Sequence, residues 1–422
     1  MQQAMTAAAA SNRDIILLSP TGSGKTLAFL IPLLKALKPA NGRVQAVVIA
    51  PSRELASQIF GIAQSIAAGH KVSCCFGGHN VIDEKRSLEV APSIIIATPG
   101  RLLDHINREH IDVAPTRILV LDEFDKSLEL GFHDEMRRIV KNMPNVSTRF
   151  LTSATMIEEM PEFLKNFKPT HLNFLGLNEE LSTRTTVHRV VSPMKDKLQS
   201  LRDLLHALPL GKTIVFVNYR ESVDRVTAFL KEERISCGAY HGALEQGDRE
   251  KALAMFNNGS FVVLVTTDLA ARGLDISGIE HIIHYHIPVS AETYTHRNGR
   301  TARYSATGNV YVITSQSDSL PEYITFDTEF ALEENALTTS QIKAEFSTLH
   351  FLAGRKEKLS KGDIAGFLSA NSGLQPNEIG RIDLFDHYAL AAIPHAKAKE
   401  VLARITPLKI KAKKVRITLL TL

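Results

Sequence analysis

The chain has 422 residues, 44% of them hydrophobic and 22% charged, an ordinary balance for soluble globular domains. That length exceeds what one hydrophobic core supports, since cores stop growing near roughly 250–300 residues, so two or three domains are expected. No apolar run approaches the ~18 residues of a membrane span, the start lacks a basic leader, and Cys74, Cys75 and Cys237 show no C-x-x-C spacing. The thiols read as reduced, packed residues of a cytoplasmic protein and not as a disulfide framework or metal site.

The net charge of +4 implies no partner by itself, but its distribution does. From Phe346 to Leu422 there are 13 Lys and Arg against 6 Asp and Glu, a net +7, which leaves −3 for residues 1–345. A basic module appended to a nearly neutral body suggests a tethered polyanion binder.

Ser19-Pro20-Thr21-Gly22-Ser23-Gly24-Lys25-Thr26 lies between the apolar run Ile15–Leu18 and the helical pattern that starts at Leu27. Glycines at 22 and 24 let backbone N–H groups and a helix N-terminus face phosphates, Lys25 adds charge at the β/γ oxygens, and the Thr26 hydroxyl can hold Mg²⁺. The chain is therefore read as a nucleoside triphosphate user with Thr21, Gly22, Ser23, Gly24, Lys25 and Thr26 at the phosphates. Ser19 stands where the strict P-loop pattern has Gly, which narrows the class to a variant of that loop.

Strand-like apolar runs alternate with helical patterns twice along the chain, the signature of parallel α/β sheets. The first series places strands at Asp14–Leu18, Val44–Ala50, Val72–Cys75, Ile94–Ala97, Ile118–Leu121 and Arg149–Leu151, with helices from Lys25, Arg53, Gly100 and His133. The second, from Val187, places strands at Thr213–Val217, Val262–Val265, Ile282–Tyr285 and Val310–Ile313, with helices from Glu221, Asp248 and Glu292. Polar stretches at Leu175–Thr186 and Glu329–Glu345 read as connectors, giving domains 1–178, 187–330 and 346–422.

Asp122 and Glu123 end the buried run Ile118–Leu121, where an aspartate can bind Mg²⁺ and a glutamate can orient the attacking water. In the second series, His296-Arg297-Asn298-Gly299-Arg300-Thr301-Ala302-Arg303 puts Arg300 and Arg303 on one face of a predicted helix. Such arginines stabilise transition-state charge on a transferring phosphoryl group.

Ten segments in order now carry a resemblance: SPTGSGKT at 19–26, APSRELA at 50–56, Gly77-Gly78, ATPGRLL at 97–103, LDEFD at 121–125, SAT at 153–155, IVFVN at 214–218, QGDR at 246–249, TTDLAARGLDI at 266–276 and HRNGRTAR at 296–303. The chain resembles the DEAD-box ATP-dependent RNA helicases over residues 1 to about 330. The resemblance implies two tandem RecA-like domains, ATP with Mg²⁺ in the interdomain cleft, and RNA crossing both domains. It assigns catalysis to Lys25, Asp122, Glu123, Arg300 and Arg303, metal binding to Thr26 and Asp122, adenine reading to Gln2 and the ribose to Asp275. Pro51, Ser52, Arg53, Gly78, Thr98, Gly100, Arg101, Arg249, Thr266 and Asp268 become RNA contacts. Ser153, Thr155 and Asp125 become the coupling between sites.

Departures from the family pattern are specific. Phe124 occupies the small alanine position of the acidic motif, so retained activity with altered local packing is expected. Asn298 and Ala302 replace the common Ile and Gly of the arginine motif. The aromatic residue that the family places about seventeen positions before its glutamine would precede Met1, so the chain is read as truncated or as starting at an internal Met.

The basic module resembles the C-terminal RNA-binding domain of DbpA-type helicases through GRKEK at 354–358, KGDIAG at 361–366, IGRIDLFD at 379–386 and LKIKAKKVR at 408–416. This implies a small α+β RRM-like domain that docks a structured hairpin of large-subunit ribosomal RNA within a pre-ribosomal particle. Its third strand keeps little of the RRM signature beyond Tyr388 and Ala389. Recognition is therefore assigned to Arg355, Lys356, Lys358, Lys411, Lys413 and Lys414. The expected function is RNA-stimulated ATP hydrolysis that unwinds or remodels ribosomal RNA; an ATP-gated RNA clamp or chaperone and a superfamily-two DNA helicase remain as alternatives.

Overall fold

Asp14–Leu18 (β1), Ala46–Ile49 (β2), Val72–Cys75 (β3), Ile94–Ala97 (β4), Ile118–Leu121 (β5), Thr148–Ser153 (β6) and Thr170–Asn173 (β7) form one parallel sheet in a computed structural model of the chain. The structure describes residues 1–11, 14–20, 23–78, 80–156, 159–176, 185–269, 276, 278–301, 308–332 and 342–421. The strand order is β3-β4-β2-β5-β6-β1-β7. The central strands are buried on both faces, which is why they read as unbroken apolar runs and not as alternating ones.

Helices cover both faces of this sheet. Gln2–Ser11 (α1), Lys25–Ala36 (α2) and Arg53–Ile66 (α3) bury Met5, Phe29, Leu33 and Ile59 on one side. Val81–Leu88 (α4), Pro99–Asn107 (α5), Phe124–Glu129 (α6) and His133–Lys141 (α7) bury Leu88, Leu102, Phe124 and Met136 on the other. Strand β7, Thr-His-Leu-Asn, is half exposed at the sheet edge and carries no apolar run, so periodicity did not anticipate it.

A second parallel sheet follows, with order β10-β11-β9-β12-β13-β8-β14. Its strands are Thr185–Ser192 (β8), Lys212–Phe216 (β9), Cys237–Tyr240 (β10), Val263–Thr266 (β11), Ile279–His284 (β12), Gly308–Ser315 (β13) and Thr328–Glu329 (β14). Its helices are Leu198–Ala207 (α8), Arg220–Glu232 (α9), Gln246–Asn257 (α10) and Ala291–Asn298 (α11). Two expected connectors are shorter than the sequence implied: Thr185 and Thr186 already pair in β8, and Glu329 closes the sheet as part of β14.

The C-terminal domain runs Phe346–Phe351 (β15), Lys361–Asn371 (α12), Ile382–Leu384 (β16), Ala389–Pro394 (β17), Ala398–Ile405 (α13), Lys409–Ile410 (β18), Lys413–Lys414 (β19) and Ile417–Leu419 (β20). Four strands form an antiparallel sheet of order β16-β17-β15-β20, the β-α-β-β-α-β arrangement of an RRM-like fold. Ser360 starts α12 with a capping box to Asp363.

The described residues fall into two compact units, one made of the first sheet with its helices and the other of the second sheet together with the C-terminal domain. No helix among them is long and apolar enough to cross a membrane.

Candidate nucleotide and RNA sites

The C-terminal edge of the first sheet is divided between two sets of loops. Neighbouring strands β5, β6 and β1 lead into Asp122-Glu123, Ser153-Ala154-Thr155 and the 19–26 loop. Neighbouring strands β3, β4 and β2 lead into Gly77-Gly78, Thr98–Arg101 and Pro51-Ser52-Arg53. Loops at the carboxyl ends of parallel strands are where open α/β sheets bind ligands.

In the first set, Gly24 holds φ +89° as the residue before α2. A side chain there would be strained and would come within 2.6 Å of the Gln2 amide nitrogen. Gln2 lies against this loop, its Nε2 3.4 Å from the Gly24 carbonyl, because α1 packs along α2. The Lys25 ammonium is buried and donates to the Ser19 carbonyl at 2.8 Å. The Ser19 hydroxyl donates to that of Ser23 at 2.6 Å. Thr26 follows on the first turn, partly exposed. Thr21, Gly22, Asp275 and Arg303, named from the sequence, lie outside the described residues.

Asp122 is 2% exposed. Its Oδ1 accepts from the Thr152 hydroxyl and from the Glu123 amide at 3.2 Å. Burial raises its proton affinity, opposed by the Thr152 hydrogen bond and by the charge of Lys25. Glu123 adopts φ +45°, ψ 54°, the left-handed region that a non-glycine residue enters at a cost of ~1–2 kcal/mol. Its amide donates to Thr152 Oγ1 at 3.1 Å, which fixes this turn to β6. Asp125, one turn on, accepts at a single oxygen from the Ala154 amide (3.1 Å), the Thr155 amide (3.2 Å) and the Thr155 hydroxyl (2.9 Å). Ser153 Oγ closes the same segment through the Thr155 carbonyl at 2.6 Å.

Phe124 is fully buried in the core on the α4–α7 side of the sheet and meets Phe163 edge-on at 6.4 Å.

In the second set, Ser52 caps α3 by accepting from the Leu55 amide at 3.2 Å, and Arg53 opens the helix. A side chain at Gly77 would lie 3.1 Å from the Arg53 guanidinium, and Gly78 takes φ +97° beside it. Thr98 donates its amide to the Cys75 carbonyl and precedes the N-terminus of α5, with Gly100 and Arg101 in its first turn. Arg101 Nε lies 3.4 Å from Glu84, which also meets His105 at 2.8 Å and accepts from the Phe76 amide at 3.3 Å. Glu84 therefore ties the turn before the paired glycines to the helix that carries Arg101. Cys75, Glu84 and His105 bring possible ligand atoms within 4.8 Å of one another. The Arg101 charge occupies Glu84 there, and burial pushes the Cys75 thiol up to about 12.

In the second unit, Thr266 ends β11 fully buried. Asp268 accepts from Arg297 Nε at 2.5 Å, and the same guanidinium reaches the Asn218 side chain at 2.9 Å and the His286 carbonyl at 3.1 Å. Arg297 is fully buried over the Phe216 ring, so the first arginine of HRNGRTAR clamps three strand-end loops together. The arginine helix is shorter than expected. It stops at Asn298, Gly299 caps it, and Arg300 stands in the following turn, 3% exposed. Asn298, where the family commonly has Ile, gives an acceptor for His284 Nε2 at 2.8 Å.

In the C-terminal domain, Lys411 and Ala412 both take positive φ at the tip of the β18–β19 hairpin, which folds it tightly over the loop 354–358. Lys411 Nζ reaches the Lys358 carbonyl at 3.2 Å and Asp363 at 2.7 Å; Lys413 Nζ reaches the Glu357 carbonyl at 3.5 Å. Two basic segments more than fifty residues apart thus share one exposed surface: Arg355, Lys356 and Lys358 with Lys411, Lys413 and Lys414.

The sequence matches the family models described as DEAD/DEAH box helicase over residues 1–163, Helicase conserved C-terminal domain over 196–305 and DbpA RNA binding domain over 348–419. It is 31% identical to "ATP-dependent RNA helicase DbpA" of Escherichia coli (strain K12) over 428 residues, which cover 100% of this chain and 94% of that protein. The chain is a DbpA-type DEAD-box RNA helicase. The protein of the same name from Bacillus subtilis (strain 168) is 28% identical over 99% of this chain and 93% of its own length. Among solved structures, "S. cerevisiae Dbp5 bound to RNA and ADP BeF3" matches with a TM-score of 0.68 at 26% identity, covering 75% of this chain and 83% of that one.

Three residues that organise the helicase's sites escaped sequence reasoning. Thr152 was legible only as a polar residue in the apolar strand Phe150–Leu151, and the clamp role of Arg297 was hidden inside a basic motif. Glu84 gave no signal at all, because its partners Arg101 and His105 lie 17 and 21 positions away.

Proposed function

We propose that this helicase hydrolyses ATP when RNA is bound and uses the cycle to open or remodel helices of large-subunit ribosomal RNA during ribosome assembly in the cytoplasm. The observation that carries the reading is the sharing of one sheet edge by the nucleotide loops after β5, β6 and β1 and the basic and glycine-rich loops after β3, β4 and β2. Thr21, Gly22, Ser23, Gly24, Lys25 and Thr26 take the phosphates, Gln2 the adenine and Asp275 the ribose. Glu123 orients the attacking water. Arg300 and Arg303 stabilise charge on the γ-phosphate once RNA has drawn the two RecA-like domains together, so turnover waits for RNA.

Thr26 Oγ1 and the Asp122 carboxylate are hard oxygen donors that suit Mg²⁺, and a buried carboxylate with raised proton affinity suits a neighbouring cation. A Mg²⁺ ion held by these two residues would supply charge neutralisation at phosphate oxygens.

Pro51, Ser52, Arg53, Gly78, Thr98, Gly100 and Arg101 grip the RNA backbone in the first domain, and Arg249, Thr266 and Asp268 do so in the second. Backbone grip gives affinity without reading sequence. The paired basic segments Arg355–Lys358 and Lys411–Lys414 supply the address, a structured ribosomal hairpin in a pre-ribosomal particle. ATPase rates across a panel of ribosomal RNA fragments test this. One large-subunit fragment should stimulate turnover at least ~10-fold over unrelated RNA, and equal turnover with and without any RNA would sink the reading.

A further inference from the structure

In the sheet of the C-terminal domain the central strand β17 is buried on both faces. Leu349, Phe351, Ala389, Ala391 and Ile393 pack into that domain's own core. Leu390 and Ala392 alternate with them on the other face and are equally buried. On this second face Thr348 Oγ1 accepts from Asn258 Nδ2 at 2.9 Å and pairs with the Ser260 hydroxyl at 2.7 Å. The face that RRM-like domains offer to stacked bases is here turned to helix α10 of the second RecA-like domain and the turn after it.

Tyr388 makes the contact specific. Its ring stacks on Phe385 at 4.4 Å and meets His350 edge-on at 5.5 Å, which leaves the hydroxyl one direction. That hydroxyl donates to Glu250 Oε2 at 3.0 Å. Burial and the Glu250 charge hold the phenol far above its ordinary range, so it is a donor at any working pH. The second oxygen of Glu250 accepts from Gln246 Nε2 at 3.4 Å, and Gln246 Oε1 accepts from Arg249 Nη2. A continuous chain of hydrogen bonds therefore runs from the C-terminal domain to Arg249.

We propose that Tyr388 is a positioning residue: by fixing Glu250 it orients Gln246 and Arg249, so that docking of the C-terminal domain sets the second domain's grip on the RNA backbone. The proposal rests on the reading of Arg249 as an RNA contact. An arginine already held in one orientation loses less rotamer freedom on binding than a mobile one, so the chain strengthens a phosphate contact it never touches.

The test uses the full chain, a fluorescent oligouridylate with no structure for the basic surface to recognise, and a non-hydrolysable ATP analogue, with affinity read by anisotropy. Tyr388→Phe keeps the ring and removes only the donor. Glu250→Gln keeps an acceptor for Tyr388 and replaces the oxygen that faces Gln246 with an amide nitrogen. Each should weaken binding about 5-fold, with the double variant no worse than either single one. In an Arg249→Ala background, Tyr388→Phe should have no further effect. Affinity unchanged or tighter in Tyr388→Phe, or its full effect persisting without Arg249, overturns the proposal; if Tyr388→Phe fails to fold, Glu250→Gln decides by the same criteria. Parallel ATPase assays on the wild-type chain keep the two readings apart, because loss of RNA stimulation there refutes the ATPase cycle while the binding comparison still judges the relay.

Discussion

Asp125 and Thr155, thirty positions apart, are joined by a 2.9 Å hydrogen bond from the threonine hydroxyl, and the same carboxylate oxygen also accepts the amides of Ala154 and Thr155. The acidic turn at Asp122 and the segment after β6 are therefore tied together. Asp125→Ala would leave three donors without this partner, each costing ~1–3 kcal/mol where it stays buried. Duplex opening per ATP hydrolysed should fall at least ~10-fold, while ATP affinity changes little. A strand-displacement assay run beside a phosphate-release assay measures that ratio.

Lys25 and Glu123 separate binding from chemistry. Lys25→Ala should abolish turnover and weaken ATP binding, since it removes the charge at the phosphates. Glu123→Gln should abolish turnover with ATP and RNA affinity nearly intact, because only water orientation is lost. The left-handed backbone of Glu123 adds a physical check: Glu123→Gly should be about 1 kcal/mol more stable than Glu123→Ala in denaturant melts.

Phe124 fills core volume that the family's alanine would leave empty. Phe124→Ala should destabilise the first domain by ~3–5 kcal/mol through the cavity it opens beside Phe163. At temperatures where the variant stays folded, its RNA-stimulated kcat should be unchanged. A fall in kcat with no loss of stability would show that Phe124 acts in the site.

Three histidines on or next to one strand set an acid limit on the second domain. Burial, then the charge of Arg297, lowers His284 from 6.5 to about 3, and burial lowers His286 to about 4 and His281 in the same direction. The unfolded chain binds these protons below pH 6.5 and the folded one does not, so stability rises with pH between about 3 and 6.5 and is lost as pH falls through that window. Thermal melts from pH 7.5 to 5 should show a falling midpoint. His284→Gln should make that dependence shallower, and an equal slope in the variant would assign it elsewhere.

The hairpin lysines test the address. Charge reversal at Lys411, Lys413 and Lys414 should lower affinity for a structured ribosomal fragment and flatten its salt dependence by roughly 0.7–0.9 in log–log slope per lost phosphate contact. Hydrolysis driven by saturating unstructured RNA should be spared. Titrations at several salt concentrations give both slopes.

The sequence by itself determined what local chemistry encodes. Glycine, lysine and threonine at fixed spacing after an apolar run specify a phosphate loop, and doubly buried strands such as Ile94–Ala97 declare a parallel sheet because both their faces must be apolar. Tertiary structure decided what depends on partners distant in the chain. Asp125 meets Thr155, Glu84 meets Arg101, and Lys411 reaches the Lys358 loop only because strand order and hairpin folding bring their ends together. Asn298 likewise meets His284 on β12, a partner that no helical periodicity contains. The docking of the C-terminal sheet on α10 was equally illegible. The run Ala389–Ile393 shows in the sequence only that both faces of this strand are apolar; that α10 and the turn after it cover the second face was decided by tertiary packing.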